Sequence, residues 1–221
     1  MRALIFDLDG TLIDTVYAHV IAWQRSLDAA DLHVSAWTIH MKIGLSGREL
    51  AIAIGREVGK PVSEDEAVAL DKRHGDIMKE FLPQPKPMPG ARALLRRLRE
   101  LNVPYGIATS GDRSGLEEAM RCLGLSDGVT AVCKSDVERT KPEPDLFLAC
   151  QDRLKVPARD CFVVGDAVWD MLAARRSGML GVGVLTGGIG RAELTQAGAY
   201  RVYRDPAELD ASRHELGLIS G

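Results

Sequence analysis

The hydrophobic positions of this chain fall into short apolar runs separated by longer amphipathic segments. Continuous apolar runs bounded by polar residues are typical of strands buried on both faces of a sheet. The predicted strands are residues 3–6, 105–108, 129–132, 162–164 and 182–185. Apolar residues recur with helical spacing between them, which predicts helices at residues 91–101, 116–123, 145–154 and 171–176. Strands that alternate with helices indicate an α/β protein whose parallel sheet is covered on both faces.

Residues 14–82 interrupt this alternation, because they contain no convincing apolar strand. Amphipathic stretches within this region predict helices at residues 16–29, 48–58 and 63–81. We therefore interpret 14–82 as a helical insert that follows the first strand. The sheet-containing core is then formed by residues 1–13 together with 83–221.

A cluster of polar residues follows each of four predicted strands. The clusters are Asp7-Leu8-Asp9-Gly10-Thr11, Thr109-Ser110-Gly111, Lys141-Pro142-Glu143-Pro144, and Gly165-Asp166 with Asp170. Ligands of open parallel sheets bind at the carboxyl ends of the strands. The four clusters therefore predict one converging site.

Three carboxylates in these clusters, on Asp7, Asp9 and Asp166, would repel one another at one edge of a sheet unless a cation lay between them. Hard oxygen ligands suit Mg²⁺, which in enzymes also contacts substrate phosphates. Asp7 and Asp9 alternate with Leu8, so both carboxylates point to the same side of an extended chain. One of them can attack while the other handles a proton.

The remaining polar groups are those that a phosphate dianion requires. Lys141 supplies positive charge, Thr109 supplies a hydroxyl, and Ser110 and Gly111 supply backbone N–H groups. A carboxylate can attack phosphorus only when the repulsion between the two anions is screened. The pattern thus favours phosphoryl transfer to an aspartate, assisted by a metal ion and a lysine.

Composition narrows the remaining function classes. The chain has 221 residues, 46% of them hydrophobic, and a formal net charge of −3. The mild acidic balance argues against nucleic-acid binding, and no apolar run is long enough for a membrane span or a signal peptide. Its four cysteines are widely spaced, which argues against a zinc site. We expect a cytoplasmic protein without nucleic-acid or membrane partners, as a monomer or a weak dimer.

The ordered set of four clusters resembles the four motifs of the haloacid dehalogenase superfamily. The resemblance implies a Rossmann-like core with an α-helical cap inserted after the first motif. It also implies that Asp7 is the nucleophile and that Asp9 is the general acid and base. Thr109 and Lys141 would hold the transferring phosphoryl group, and Lys141 would also steady Asp7.

The same resemblance implies a ligand set for Mg²⁺. The ligands would be the Asp7 carboxylate, the Asp9 backbone carbonyl and Asp166, and Asp170 would orient water on the metal. The dehalogenases of the superfamily attack carbon without a metal and lack an acid two residues after the nucleophile. The presence of Asp9 therefore argues for phosphoryl transfer.

The sequence of the insert is also compatible with a second class of enzyme. Thr15, His19 and Trp23 resemble the Thr-x-x-x-His-x-x-Ala-Trp signature of β-phosphoglucomutases, and Arg48, after Gly47, falls near the arginine with which mutases hold a distal phosphate. Trp23 and Ala22 are also compatible with packing in the core of the insert, and His19 with a hinge residue that bonds to a neighbour.

Two departures from the mutase pattern favour hydrolysis. The mutases place a lysine further along the cap, where this chain offers His74, and the Gly165-Asp166-x-x-x-Asp170 spacing is phosphatase-like.

Two non-enzymatic interpretations also remain. Receiver domains accept a phosphoryl group on an aspartate, but they have about half this length and lack both a cap and a counterpart of Asp9. An inactive scaffold is disfavoured, because every chemical position is filled. The sequence thus predicts a capped, Mg²⁺-dependent phosphatase of small phosphorylated metabolites, with a sugar-phosphate mutase as the alternative.

Overall fold

A parallel sheet organises the larger part of the chain. The computed structural model describes residues 2–81, 84–125 and 128–218. Within these residues six strands pair in the order β3-β2-β1-β4-β5-β6, and every pairing is parallel. The strands are β1 (Ala3–Phe6), β2 (Tyr105–Ala108), β3 (Thr130–Val132), β4 (Cys161–Gly165), β5 (Leu180–Val184) and β6 (Ala199–Tyr203).

The central strand β1 accounts for the two-sided core. Its residues are all fully buried, and it pairs with β2 on one side and β4 on the other. Leu4 and Phe6 pack into one apolar cluster, while Ala3 and Ile5 pack into another. Alternate residues of a strand face opposite sides of a sheet, so an uninterrupted apolar run is what two covered faces require.

Helices connect the strands and also form the inserted region. In chain order they are α1 (Val16–Asp28), α2 (Ala36–His40), α3 (Gly47–Glu57), α4 (Glu64–Phe81), α5 (Ala91–Glu100), α6 (Arg113–Leu123), α7 (Asp145–Leu154), α8 (Val168–Arg176), α9 (Arg191–Ala197) and α10 (Pro206–Ala211). No helix within the described residues is long and apolar enough to cross a membrane.

The chain divides into two compact units. Unit 1 comprises Met1–Asp14 and Lys86–Gly221 and contains the sheet, and unit 2 comprises Thr15–Pro85. The sequence-based boundary between residues 82 and 83 lies outside the described residues. Unit 2 has its own apolar cluster, formed by α1 to α4 with Trp23, Ile39 and Ile54 among its buried members. Its function as a cap stays a prediction.

The predicted fold class is confirmed, but the carboxyl-terminal elements were not predicted from the sequence. The edge strand β6 was missed because Tyr200 and Arg201 are exposed, so its apolar pattern is short. The helices α9 and α10 are too short to show a clear period. The fifth predicted strand was placed too late, since Leu185 belongs to a 3₁₀ turn rather than to β5.

Candidate active site

Three aspartates meet at the carboxyl ends of the two central strands. Asp7 directly follows β1, and its backbone N–H continues the sheet by donating to the Val164 carbonyl at 2.8 Å. Asp166 directly follows the neighbouring β4. Asp170 lies in the first turn of α8, where its Oδ2 accepts from the Ala167 N–H at 3.0 Å. One carboxylate oxygen from each aspartate lies within 4.8 Å of the other two, and all three side chains are buried.

Lys141 is the cation at the centre of this cluster. Its Nζ donates to Asp7 Oδ1 at 2.5 Å and to Asp170 Oδ1 at 2.9 Å. The side chain is 1% exposed, so its charge depends on these two carboxylates for compensation. Burial lowers the pKa of Lys141, but the charges of Asp170 and Asp7 outweigh this effect and raise it above its ordinary value.

The cluster contains more negative than positive charge. Burial raises the pKa of Asp7 to about 7 despite the opposing charge of Lys141, and Asp170 adds to the increase. Burial and the neighbouring Asp170 and Asp7 likewise raise the pKa of Asp166 well above its usual range. When all three carboxylates are ionised, one ammonium leaves two negative charges, which a divalent cation would balance. The donor set, made only of hard oxygens, therefore fits a metal ion of this charge.

Asp166 is held by a second set of contacts. Thr11 Oγ1 donates to Asp166 Oδ1 at 2.6 Å. Gly187, in the turn after β5, packs directly against the same carboxylate: a Cβ at this position would lie 1.8 Å from Asp166 Oδ2. Thr186, the preceding residue, donates its hydroxyl to the Gly10 carbonyl and so ties this turn to the loop after β1.

Sequence reasoning missed Thr186 and Gly187 and gave Thr11 no role. A signal for the two was present, because polar and glycine residues directly follow a strand here just as they do in the four clusters. The signal was obscured by the incorrect end of β5.

The predicted phosphate-binding loop follows β2, the neighbour of β1 on its other side. Thr109 is buried, and its N–H donates to the Val132 carbonyl at 3.0 Å. The N–H of Gly111 donates to Thr109 Oγ1 at 2.9 Å, so in this structure the loop uses that donor internally. Asp9 Oδ2 lies 3.9 Å from the position that a Cβ on Gly111 would occupy. The structure thus brings Asp9 close to Thr109 and Gly111, while Ser110 is buried beside them.

The metal ligands predicted from the sequence overlap with this cluster without matching it. Asp7 and Asp166 belong to the cluster, and their role as metal ligands stays a prediction. Its third carboxylate is that of Asp170, which bonds to Lys141 and to backbone. The Asp9 ligand was predicted to be its backbone carbonyl, and this assignment stays a prediction.

The candidate residues of unit 2 are engaged within that unit. His19 Nδ1 shares a hydrogen bond of 2.9 Å with His74 Nε2, and the His74 ring stacks on Trp23 with centroids 4.4 Å apart and an interplanar angle of 10°. Arg48 forms an ion pair with Glu64, with Nη2 donating to Oε1 at 3.0 Å.

Gly47 lies directly against α4. A Cβ on this residue would lie 1.9 Å from Asp71 Oδ1, so a larger residue here would have to displace the Asp71 side chain. The substrate-binding roles of His19, Gly47 and Arg48 stay predictions.

Comparison with known proteins agrees with this site. Residues 1–178 match the family of haloacid dehalogenase-like hydrolases. The β-phosphoglucomutase of Bacillus subtilis is 28% identical in an alignment of 191 residues that covers 83% of each chain. The fructose-1-phosphate phosphatase of Escherichia coli is 31% identical in an alignment of 185 residues that covers 82% of this chain and 95% of the relative. A solved structure of a hydrolase from Pseudomonas syringae superposes with a TM-score of 0.94 at 41% identity and covers 97% of this chain and 99% of its own.

The family match covers all four motifs that carried the resemblance. The motif residues lie between Asp7 and Asp170, within the matched segment. The predictions of a Rossmann-like fold and of a hydrolytic enzyme of the phosphatase type are confirmed. This chain belongs to the haloacid dehalogenase-like hydrolases.

Proposed function

We propose that this protein is a Mg²⁺-dependent phosphatase that cleaves small phosphorylated metabolites through a phosphoryl-aspartate on Asp7. The observation that carries the proposal is the buried Lys141 ammonium, which is bonded to Asp7 and Asp170 in a cluster of three carboxylates. One carboxylate would be enough to balance the charge of Lys141, so three carboxylates exceed what charge balance alone requires. Such a cluster suits a site where a phosphoryl dianion must approach an anionic nucleophile.

In the first half-reaction an Asp7 carboxylate oxygen attacks phosphorus and the ester P–O bond breaks. Protonated Asp9 gives its proton to the leaving oxygen, so the product departs as a neutral alcohol. Lys141 holds the Asp7 carboxylate in place and offsets charge on the phosphoryl group, and the Thr109 hydroxyl donates to a phosphoryl oxygen. The phosphoryl group is then bonded to Asp7.

In the second half-reaction water replaces the alcohol. Asp9, now a carboxylate, takes a proton from a water molecule whose oxygen bonds to phosphorus. The bond from phosphorus to Asp7 breaks, which releases inorganic phosphate and returns Asp7 to its carboxylate form. The position of Asp9 Oδ2 beside Gly111 supports this role, because it places the acid next to the predicted phosphate loop.

The proposed cofactor is Mg²⁺, held by Asp7, Asp166 and the Asp9 carbonyl. When bound, it supplies positive charge that lets the anionic nucleophile and the anionic substrate approach each other. Thr11 and Gly187 fix the Asp166 carboxylate from two sides, which supports a ligand role for Asp166.

The proposed substrate class is small phosphate monoesters such as sugar phosphates. The Escherichia coli relative, named for fructose 1-phosphate, supports this class. The proposed helical cap, unit 2, would exclude bulk water during turnover.

The mutase stays the second candidate, because the Bacillus subtilis relative is named β-phosphoglucomutase. One feature of unit 2 weighs against it: the residue that stands in place of the mutase lysine is His74, buried against Trp23 and bonded to His19. Arg48 pairs with Glu64, but this ion pair is exposed and a phosphate could displace it.

A screen of phosphate release from a panel of sugar phosphates and phosphorylated acids tests the proposal, with and without Mg²⁺ and with excess chelator. We expect release that needs Mg²⁺ and that Asp7→Asn abolishes. Asp14→Asn is the matched control, since Asp14 is an exposed aspartate of the same unit and should be silent. Full turnover in chelator would overturn the metal assignment. Conversion of β-glucose 1-phosphate to glucose 6-phosphate without phosphate release would favour the mutase.

A further inference from the structure

A short 3₁₀ turn, Lys134–Asp136, lies directly after β3 and contacts the loop that follows β2. The backbone N–H of Lys134 donates to the Gly111 carbonyl at 3.1 Å. Gly111 belongs to the loop Thr109–Gly111, and the proposed function assigns Thr109 of this loop to phosphate binding. The turn is therefore placed to determine where the loop lies.

The carboxylate of Asp136 contacts several groups around this turn. Both of its oxygens accept from Arg113 Nη2 at 2.6 Å, and Oδ2 also accepts from the Cys133 N–H at 2.9 Å. Arg153 Nη2 lies 3.5 Å from Oδ1. Arg113 is the first residue of α6 and lies two residues after Gly111, and Arg153 is near the end of α7. One side chain thus links the loop, the end of β3 and the helix that follows Lys141.

The negative charge of Asp136 interacts with groups outside the turn. Within the turn the carboxylate contacts Cys133, and a neutral amide oxygen could accept the Cys133 N–H equally well, whereas Arg113 and Arg153 lie outside the turn. Burial opposes ionisation of Asp136, but the Cys133 N–H and the Arg113 charge outweigh it and lower the pKa. The Asp136 side chain is 17% exposed and the two arginine side chains are 45% and 46% exposed, so solvent screens these ion pairs in part.

We propose that Asp136 is a positioning residue for the reaction, which acts on the phosphoryl group through the loop Thr109–Gly111. The Arg113–Asp136 pair and the bond from Lys134 N to Gly111 O hold the carboxyl-terminal end of the loop, and the bond from Thr109 N to Val132 O holds its beginning. They fix the hydroxyl of Thr109 in a prepared position, so no reorganisation is needed when charge develops on phosphorus. This inference rests on the proposed function for its kinetic consequences, but not for its structural ones.

The test compares Asp136→Asn, Arg113→Gln and the double variant with the parent enzyme. The asparagine keeps the size and the acceptor for Cys133 but removes the charge. We expect kcat/KM to fall about 10-fold or more, mainly through kcat, and inhibition by inorganic phosphate to weaken, because the loop donors lose their alignment. The double variant should lose no more than the worse single variant, since both changes break the same pair. Asp136→Glu keeps the negative charge, so its kcat/KM should fall less than that of Asp136→Asn.

Asp205→Asn is the matched control. Asp205 is in the same unit, is 13% exposed, accepts from the Glu208 N–H at 2.8 Å and pairs with Arg204, but it caps α10. Its loss should lower stability to a similar extent and leave kcat/KM unchanged.

Hydrogen exchange supplies a readout independent of turnover. We expect the amides of residues 109–113 to exchange faster in Asp136→Asn than in the parent, at a temperature where both are folded. Lower stability with unchanged loop exchange, kcat/KM and phosphate inhibition would overturn the inference. A parent enzyme that releases no phosphate from any substrate, with loop exchange nevertheless faster in the variant, would overturn the proposed function and leave the structural link intact.

Discussion

The variant Gly187→Ala adds one methyl group beside Asp166 and so tests the proposed metal site. In the variant Gly187→Ala the new Cβ would lie 1.8 Å from Asp166 Oδ2, whereas ordinary contact begins at about 3.4 Å. The carboxylate or the turn must therefore move by about 1.6 Å, a value that follows from these two distances. Backbone strain contributes nothing, because the φ of Gly187 lies outside the left-handed region.

The displacement determines the expected magnitude. A misplacement of about 1 Å at a catalytic centre can cost about 10²-fold in rate, so we expect kcat/KM to fall by about that factor. The Mg²⁺ concentration for half-maximal activity should rise, since Asp166 is both a proposed ligand and the acceptor of Thr11. Overpacking should reduce the free energy of unfolding by about 1–3 kcal/mol, which leaves a folded protein.

The assay is phosphate release measured across a Mg²⁺ titration, with thermal unfolding as the check on folding. Gly75→Ala is the matched control, because Gly75 lies within α4 and its added Cβ would have no atom within 4 Å beyond the adjacent residues and the nearby backbone of the helix. It should leave activity unchanged and stabilise the protein by about 0.5–1 kcal/mol. A Gly187→Ala enzyme with parental kcat/KM and a parental Mg²⁺ response would refute the reasoning.

Three further predictions concern separate parts of the molecule. Thr11→Val removes the hydrogen bond to Asp166, so the half-activating Mg²⁺ concentration should rise about 10–100-fold, while Thr11→Ser should stay near the parent. Asp9→Asn removes the acid and base, so steady-state kcat should fall about 10²–10⁴-fold with the fold unchanged by circular dichroism. Ile54→Ala deletes a fully buried side chain of unit 2 and should cost about 2–5 kcal/mol in chemical denaturation, whereas Val68→Ala on an exposed position should cost little.

Each of these three predictions would be contradicted by a specific result. An unchanged Mg²⁺ response in Thr11→Val would mean that its hydrogen bond to Asp166 does not support metal binding. A parental kcat in Asp9→Asn would assign the proton transfer to another group. Equal denaturation midpoints for Ile54→Ala and Val68→Ala would contradict the packing of Ile54 in its apolar cluster.

The sheet and its carboxyl-terminal edge could be predicted because they depend on local patterns. The run Ala3–Phe6 is apolar at every position since both of its faces are covered, and the residue after it is the nucleophile candidate. The same rule located Asp166 after β4 and Thr109 after β2. Position along a strand was therefore sufficient to assemble most of the site.

The contacts that hold the site could not be predicted in the same way. Thr11 and Asp166 are 155 residues apart, and the bond between them depends on the three-dimensional packing of β1 against β4. The carboxylate of Asp170 bonds to Lys141, a pairing that no spacing in the sequence encodes, and its predicted role in orienting water on the metal stays a prediction. The hydrogen bond between His19 and His74 likewise depends on how α1 packs against α4.

Capture of the covalent intermediate tests the central claim most directly. The enzyme is mixed with a substrate carrying a labelled phosphoryl group, quenched in acid within one turnover, and digested for peptide analysis. We predict label on the peptide that contains Asp7, released by hydroxylamine and absent in Asp7→Asn. Full phosphate release without any labelled peptide, or equal labelling in Asp7→Asn, would contradict the account.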